Sequence, residues 1–499
     1  MRPYSLKEIA NITGGAILRG DPSRDFTSVS TDSRKIAPGG LYGALVGERS
    51  DGHDFVADVF RKGAGGAIIE HLVTGLDEAL GGGARGAGFG VIVVRSTVEA
   101  LQALAAAYRS EVPATVIGVT GSVGKTSTKN MVCSVLASKF ATYSNPGNLN
   151  SHIGLPLAVL GMDGSPEYAV LEMAMRARGE IADLCVIARP RIGILTDISL
   201  SHVGILGSIE EIALAKAELL ESLPPDGVAI VSGDNEWVRR MSSKARCPAI
   251  FYGLSAGCDV RAVDVETLGA EGSRFHIETT RLPSLEARGS RGEAGGVDPL
   301  WEFRLGVPGI HQVHNALAAI AVGFVTGIPC RSIREGLENA VTSSMRLDVV
   351  RAGDITVIND AYNASPKSMK AALDLLAAIG GGRKVAILGD MLEMGDYGPA
   401  AHREVGRYAR TQASCLLCAG DLGREIKAGW DEAEDVTSGL SGETAGPKTS
   451  SWFADKGRLQ ASLQEFIREG DTVLVKASRG MGFESVVGAL KELSADGPS

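Results

Sequence analysis

Only seven cysteines occur among the 499 residues, without regular spacing. That excludes a disulfide framework and fits a reduced, cytoplasmic compartment. One CxxC, made by Cys415 and Cys418, lies inside the apolar run 414–419, which reads as a buried strand rather than a redox or zinc site. No stretch reaches the roughly 18 continuous apolar residues of a membrane span. The longest candidate, 316–325, starts beside His314 and Asn315 and reads as a buried helix. Residues 1–8 have no long apolar core of the kind a signal peptide carries, and read as the start of a folded domain. An excess of positive charge is also missing: 50 Lys and Arg stand against 59 Asp and Glu, a net charge of −9. This weighs against nucleic acid as a main partner but not against a small anion, which a local glycine nest and a few cations can hold. A soluble monomer without membrane insertion is expected.

What is present centres on Val116-Ile117-Gly118-Val119-Thr120-Gly121-Ser122-Val123-Gly124-Lys125-Thr126. It reads as a buried strand, a tight glycine turn and the first turn of a helix that continues through Ser127 to Leu136. A nucleotide phosphate needs that order. Glycines let the backbone close around the anion with free amides inward, Lys125 adds positive charge, and Thr126 offers a hydroxyl to Mg²⁺. The general pattern GxxxxGK[ST] would require glycine where Val119 stands, so the loop is shorter than that form.

At 499 residues the chain exceeds one core, and roughly 100–200 residues per domain suggests about three. The first hundred residues alternate short strands (40–45, 67–70, 91–94) with glycine turns, and 81–90 reads as a surface loop. A helix over 97–109 leads to a linker at Pro113. Strand candidates then follow at 168–171, 184–187, 192–198 and 228–232, separated by helices, which implies a mainly parallel sheet. Residues 259–305 are strand-like and polar, a small excursion from that sheet. A third unit begins near Arg346, with strands at 355–358, 384–388, 415–418 and 472–475, and a flexible loop over 437–451.

Further motifs occupy the ends of these strands. Thr31-Asp32-Ser33-Arg34 and Asp51-Gly52-His53-Asp54-Phe55 flank a glycine-rich stretch, and Ser33 and Arg34 are suited to diphosphate oxygens. His53 either contacts a ligand or orders its loop. Asn150 lies in Asn145-Pro146-Gly147-Asn148-Leu149-Asn150. Glu172 stands at the tip of an apolar strand, where a carboxylate is placed for Mg²⁺ or for helix-terminal amides. His202 follows another strand, Lys216 sits in a helix, and Asn315, Arg346 and Asp360 lie further on.

Taken together and in order, these motifs resemble the Mur ligases, ATP-dependent amide ligases of the bacterial cell wall, over nearly the whole chain. The family's P-loop has a shortened GxxGKT form, which Gly121 to Thr126 fits. The resemblance implies an α/β architecture of three domains: 1–110 binding a uridine-nucleotide substrate through Ser33, Arg34, Asp51 and His53; 111–343 with a central P-loop parallel sheet; and 344–499, Rossmann-like. It implies ATP held by Gly121, Ser122, Gly124, Lys125, Thr126 and Ser127, with Asn315 near the adenine, Arg346 at the terminal phosphate and Asp360 at the ribose. Asn150 is expected on a phosphate or sugar of the uridine-linked substrate. Mg²⁺ falls to Thr126, Glu172, His202 and Lys216, the last matching the family lysine that carries a carbamate. Lys125, Lys216, His202 and Arg346 are then the catalytic set. Gly389-Asp390-Met391-Leu392-Glu393-Met394-Gly395, with no DNPR-type loop, favours UDP-N-acetylmuramoyl-tripeptide and D-alanyl-D-alanine as substrates. Another amino-acid-adding Mur ligase, or a nucleotide switch that forms no bond, is the alternative.

Overall fold

The computed structural model describes residues 1–47, 50–76, 78, 81, 88–201, 203–280, 301–340, 345–433 and 448–495. His202, most of the 81–90 and 437–451 loops, and the stretch just before Arg346 therefore lie outside the described residues. Among the described residues no helix is long and apolar enough to cross a membrane.

Three sheets carry the fold. In the first, strands Ala16–Arg19, Gly90–Val93, Gly66–Ile69, Leu41–Gly43 and Val29–Ser30 lie side by side, parallel except for the first pair. Their side chains alternate between faces, as the period of two demands. Leu41, Ile68 and Ile92 pack with helices Leu6–Thr13 and Thr97–Glu111, while Tyr42, Ala67, Ile69 and Val91 pack with Val56–Arg61.

The junction at Pro113 is more than a linker. Arg109, buried at the end of helix Thr97–Glu111, donates to the carbonyls of Ala188 (2.9 Å), Val112 (2.6 Å) and Ala114 (2.8 Å). One guanidinium thus fastens the chain on both sides of Pro113 to the central unit.

The central sheet runs in spatial order Glu302–Leu305, Ser273–Thr279, Val260–Thr267, Ala249–Gly253, Val228–Ser232, Ile192–Leu195, Thr115–Thr120, Tyr168–Glu172, Thr142–Ser144. It is parallel from Thr142–Ser144 through Val260–Thr267, and its last two strands turn antiparallel. The sheet is mixed, and the polar stretch expected to leave it instead extends its edge. Antiparallel strands of this kind can alternate polar and apolar residues because one face of the pairing meets water. The P-loop strand lies inside. Ile117 and Val119 pack with helices Lys125–Ala137 and Ile310–Val325, and Val116 packs on the other face.

Residues 184–187, expected as a strand, belong to helix Glu180–Ala188. A run of four apolar residues does not distinguish the two periods. The deciding features flank it: Gly179 at φ 91° and Arg189 at φ 52° bound the helix. Glu218 accepts from the amides of Gly179 (2.8 Å) and Ala182 (3.1 Å), capping its start.

The third sheet runs Asp348–Ala352, Ile355–Asp360, Thr472–Lys476, Lys384–Gly389, Cys415–Ala419, Thr449–Phe453, with only the first strand antiparallel. Cys415 and Cys418 are buried strand residues with free thiols. The strand that comes last in the chain, Thr472–Lys476, is inserted between two earlier ones, so the winding order departs from the 3-2-1-4-5-6 order of a dinucleotide fold. Outside this sheet, helices Gly398–Gln412 and Gly423–Glu432 meet at two glycines. A Cβ at Gly406 would lie 1.9 Å from the carbonyl oxygen of Ile426, and one at Gly429 would lie 1.9 Å from that of Arg403. Backbone, not a pliable side chain, occupies both places. Gly406→Ala is expected to destabilise the protein by about 1–3 kcal/mol, read as a lowered denaturant midpoint. An unchanged midpoint would show that the two helices can separate without cost.

Candidate functional site

The phosphate loop is built by close approach. Gly121 and Gly124 have φ of 153° and 90°, and a Cβ would lie 2.0 Å from Thr196 Oγ1 at the first and 2.6 Å from Asn315 Oδ1 at the second. Thr196 Oγ1 donates to Val123 O (2.6 Å), and Ser122 exchanges bonds with Ser199, its hydroxyl donating to Ser199 O (3.0 Å) and accepting from Ser199 N (3.0 Å). Asn315 Oδ1 accepts from Thr128 Oγ1 (3.1 Å) while its amide donates to Gln312 Oε1 (2.9 Å). Both ends of the Asn315 amide are therefore engaged in shaping the loop. Ser127 is half-buried on the helix that the loop opens.

Beside the loop the structure joins three residues that the sequence names separately. Thr126 Oγ1 donates to Glu172 Oε2 (2.7 Å), and Asn150 Nδ2 donates to Glu172 Oε1 (2.7 Å). Glu172 is 3% exposed at the tip of its strand. Asn145, without an assigned role in the sequence, fixes that tip: its Oδ1 accepts from Glu172 N (2.9 Å), and its Nδ2 donates to Leu149 O (2.8 Å) and Glu172 O (3.2 Å). Lys129 Nζ in turn donates to Asn145 O (2.9 Å). A hydroxyl and a carboxylate at the foot of a phosphate loop are hard oxygen donors, the set that suits Mg²⁺.

Cations gather opposite. Lys125 Nζ donates to Gly121 O (2.7 Å), and burial holds its pKa below the usual lysine value, with Arg346 adding to the effect. Lys216, 2% exposed on helix Ile209–Glu221, has its pKa held well below the usual value by burial and, secondly, by Lys125. Arg346 lies 4.0 Å over the Tyr362 ring, between Met345 and Leu347, both with positive φ. Asp360 pairs with Lys476, its cross-strand neighbour in the third sheet, and burial pushes its pKa up. His311 is held down to about 4 by burial, and its Nε2 is buried without a partner.

A residue to which the sequence pattern assigns no role sits among these charges. Asp197 is 6% exposed; its Oδ1 accepts from Asn235 Nδ2 (2.8 Å) and from Lys367, and its Oδ2 is buried without a partner. The only sequence signal is its position two residues past strand Ile192–Leu195, next to the P-loop strand.

The N-terminal motifs form a separate group. Arg34 forks onto Asp32 (2.8 and 2.9 Å), and its side chain is 83% exposed. Ser33 O accepts from Lys62 Nζ (2.9 Å). His53 is buried: its Nδ1 donates to Asp51 Oδ1 (2.6 Å), its Nε2 accepts from Glu70 N (2.8 Å), and its ring stacks on His71 at 3.9 Å. Asp51, His53 and His71 come close enough to suggest a metal triad. Both His53 nitrogens are already committed, however, and neither has a lone pair to give. Its place is to order the loop.

A glycine-nested P-loop with a threonine–glutamate pair, set in a parallel α/β sheet and approached by cations from a second sheet, defines a nucleotide-using enzyme of several domains. Residues 119–323 match the Mur ligase middle domain, and 345–479 match the Mur ligase glutamate ligase domain. The chain belongs to the Mur ligase family. It is 36% identical to the UDP-N-acetylmuramoyl-tripeptide--D-alanyl-D-alanine ligase of Bacillus subtilis, with 98% of each chain covered, and 33% identical to that of Escherichia coli over 99% of each. MurF from Acinetobacter baumannii superposes with a TM-score of 0.83 at 28% identity over 99% of both chains. The MurF ligase of Thermotoga maritima in complex with ADP gives 0.76 at 25% identity, covering 94% of this chain and 98% of that one.

Asn150, expected on a phosphate or sugar of the uridine-linked substrate, donates to Glu172. Asn150→Ala is therefore expected to raise the Mg²⁺ concentration for half-maximal turnover by roughly ten- to a hundredfold, as removal of a ligand's supporting partner does. A rise in the KM of the uridine-linked substrate, at unchanged Mg²⁺ dependence, would return Asn150 to that substrate.

Proposed function

We propose that this chain joins D-alanyl-D-alanine to UDP-N-acetylmuramoyl-tripeptide, driven by ATP, in peptidoglycan precursor synthesis. The observation that carries the reading is the buried Thr126–Glu172 pair at the mouth of the P-loop, in a chain that matches curated ligases of that name almost end to end. The γ-phosphoryl of ATP passes to the terminal carboxylate of the tripeptide. The free amine of the dipeptide attacks the resulting acyl phosphate, and phosphate leaves from the tetrahedral intermediate. Lys125 and Arg346 offset the negative charge on the phosphoryl oxygens. The same reading assigns Asn315 to the adenine, once its amide exchanges its bonds to Thr128 and Gln312, and Asp360 to the ribose. Ser33, Arg34 and the loop ordered by Asp51 and His53 take the uridine diphosphate.

This assigns the work to three domains: 1–110 for the uridine nucleotide, 111–343 for phosphates and metal, and the Rossmann-like 344–499 for the rest of ATP and the dipeptide. Thr126 and Glu172 would hold Mg²⁺, joined by Lys216 once carbamylated and by His202. Bound there, the metal supplies charge neutralisation at the transferring phosphoryl group. A buried amine with a depressed pKa is neutral over more of the physiological range, and only the neutral amine adds CO₂. The carbamate turns a buried cation into a carboxylate-like group, removing the repulsion between Lys216 and Lys125.

With ATP, Mg²⁺ and both substrates, mass analysis is expected to show the pentapeptide nucleotide, and phosphate release is expected to require the dipeptide amine. Phosphate release independent of any amine would instead identify a nucleotide switch. Lys216→Ala is expected to lose nearly all activity and to regain part of it in formate or acetate, which occupy the place of the carbamate. Full activity in the alanine variant would make Lys216 a structural residue.

A further inference from the structure

Lys367 stands in the first turn of helix Pro366–Ala378, directly behind strand Ile355–Asp360 of the third sheet and the turn that carries Tyr362. Its ammonium crosses to the central unit and pairs with Asp197 Oδ1. Among the described residues Lys367 is the only ion-pair partner of Asp197. The acid cannot turn away to solvent: Asn235 holds Oδ1, Oδ2 is enclosed, and the backbone oxygen of Asp197 accepts from Ser122 N (2.7 Å) in the P-loop itself. Its charge is felt by both Lys125 and Lys216. A buried carboxylate that loses its ion-pair partner keeps only the unpaired attraction of Lys125 and Lys216 and carries more uncancelled charge, here beside the place of a polyanionic nucleotide. The same contact fixes where Arg346 arrives, because Arg346 rests on Tyr362, five residues before Lys367. A second bond between the units, from Gly204 N to Glu393 O (2.9 Å), lies at the DMLEMG loop and carries no charge.

We propose that Lys367 is a positioning residue for the ligation: paired with Asp197, it clamps the third unit onto the P-loop and cancels an acid charge that would repel the nucleotide phosphates. The role of the charge rests on the reading of the P-loop as the ATP site; the clamp does not. Three full-length variants separate the parts: Lys367→Met, Asp197→Asn and the double variant, each examined by small-angle scattering without ligands and by steady-state kinetics. Lys367→Met is expected to expand the ligand-free protein and to raise the KM for ATP by roughly three- to thirtyfold, the range of coupled neighbours, with a smaller change in kcat. The double variant is expected to bring that KM back to within about twofold of wild type, since the repelling charge is gone, yet to stay expanded. Lys367→Arg keeps the charge and is expected to restore both. An unchanged radius of gyration together with a wild-type KM in Lys367→Met would overturn the proposal. So would a KM defect that Asp197→Asn leaves in place or deepens. A wild-type protein that makes no pentapeptide product would refute the proposed function, while the ligand-free scattering would still decide the clamp.

Discussion

The missing side chains at Gly121 and Gly124 are the constraint on which the site depends. The loop threads between Thr196 and Asn315 at distances that leave no room for a methyl group at either glycine. That passage brings the end of strand Thr115–Thr120 directly into helix Lys125–Ala137, with the helix N-terminus and its free amides turned into the loop. The rest follows from the position at which that helix begins. Thr126 falls opposite Glu172 on the neighbouring strand, and Thr128 reaches Asn315 from the next turn. A bulkier residue at 121 would have to displace Thr196, which also holds Val123 O and precedes Asp197. The loop, the Thr126–Glu172 pair and the interdomain acid would move together.

Burial then sets the electrostatics. Desolvation lowers the pKa of both Lys125 and Lys216, and Lys125 lowers that of Lys216 further; in that low dielectric each neighbouring charge counts for more than it would in water. Glu172 and Asp197 both favour the charged form of Lys125, while Arg346, arriving from the other unit, opposes it. The balance therefore depends on where the third sheet sits. A phosphate group between Lys125 and Arg346 would turn their repulsion into shared attraction, so the cationic face is better suited to the occupied site than to an empty one.

Short-range features were the ones the sequence made readable. The P-loop, the strand end that carries Glu172 and the buried CxxC are each set within a dozen residues, and each stands where the pattern places it. Longer-range chemistry was not readable in this way. Lys367 and Asp197 are 170 residues apart and unremarkable in either local context. That Asn150 reaches Glu172 at 2.7 Å is visible only once the fold brings the two segments together. The helix at 184–187 was hidden because its cap, Glu218, comes from a different element. The polar edge strands looked detached from a sheet whose other strands are almost wholly apolar. His202 lies outside the described residues, so its expected place on a metal carries no geometry.

Two polar contacts join the P-loop unit to the third sheet: an ion pair with a half-exposed lysine, and a backbone bond at Gly204. The backbone bond is flanked by Val203 and Met394, buried in one apolar cluster, so this joint pairs a small apolar contact with an ion pair open to water. An enzyme that must admit a nucleotide, a large uridine-linked substrate and a dipeptide, then exclude water from a reactive acyl phosphate, needs a joint that closes on charge and opens again. Arg109 and its three carbonyls make the opposite joint, between the first and central units, out of buried hydrogen bonds. The first joint thus rests on buried hydrogen bonds, while the one beside Arg346 includes an ion pair whose lysine is more than half exposed.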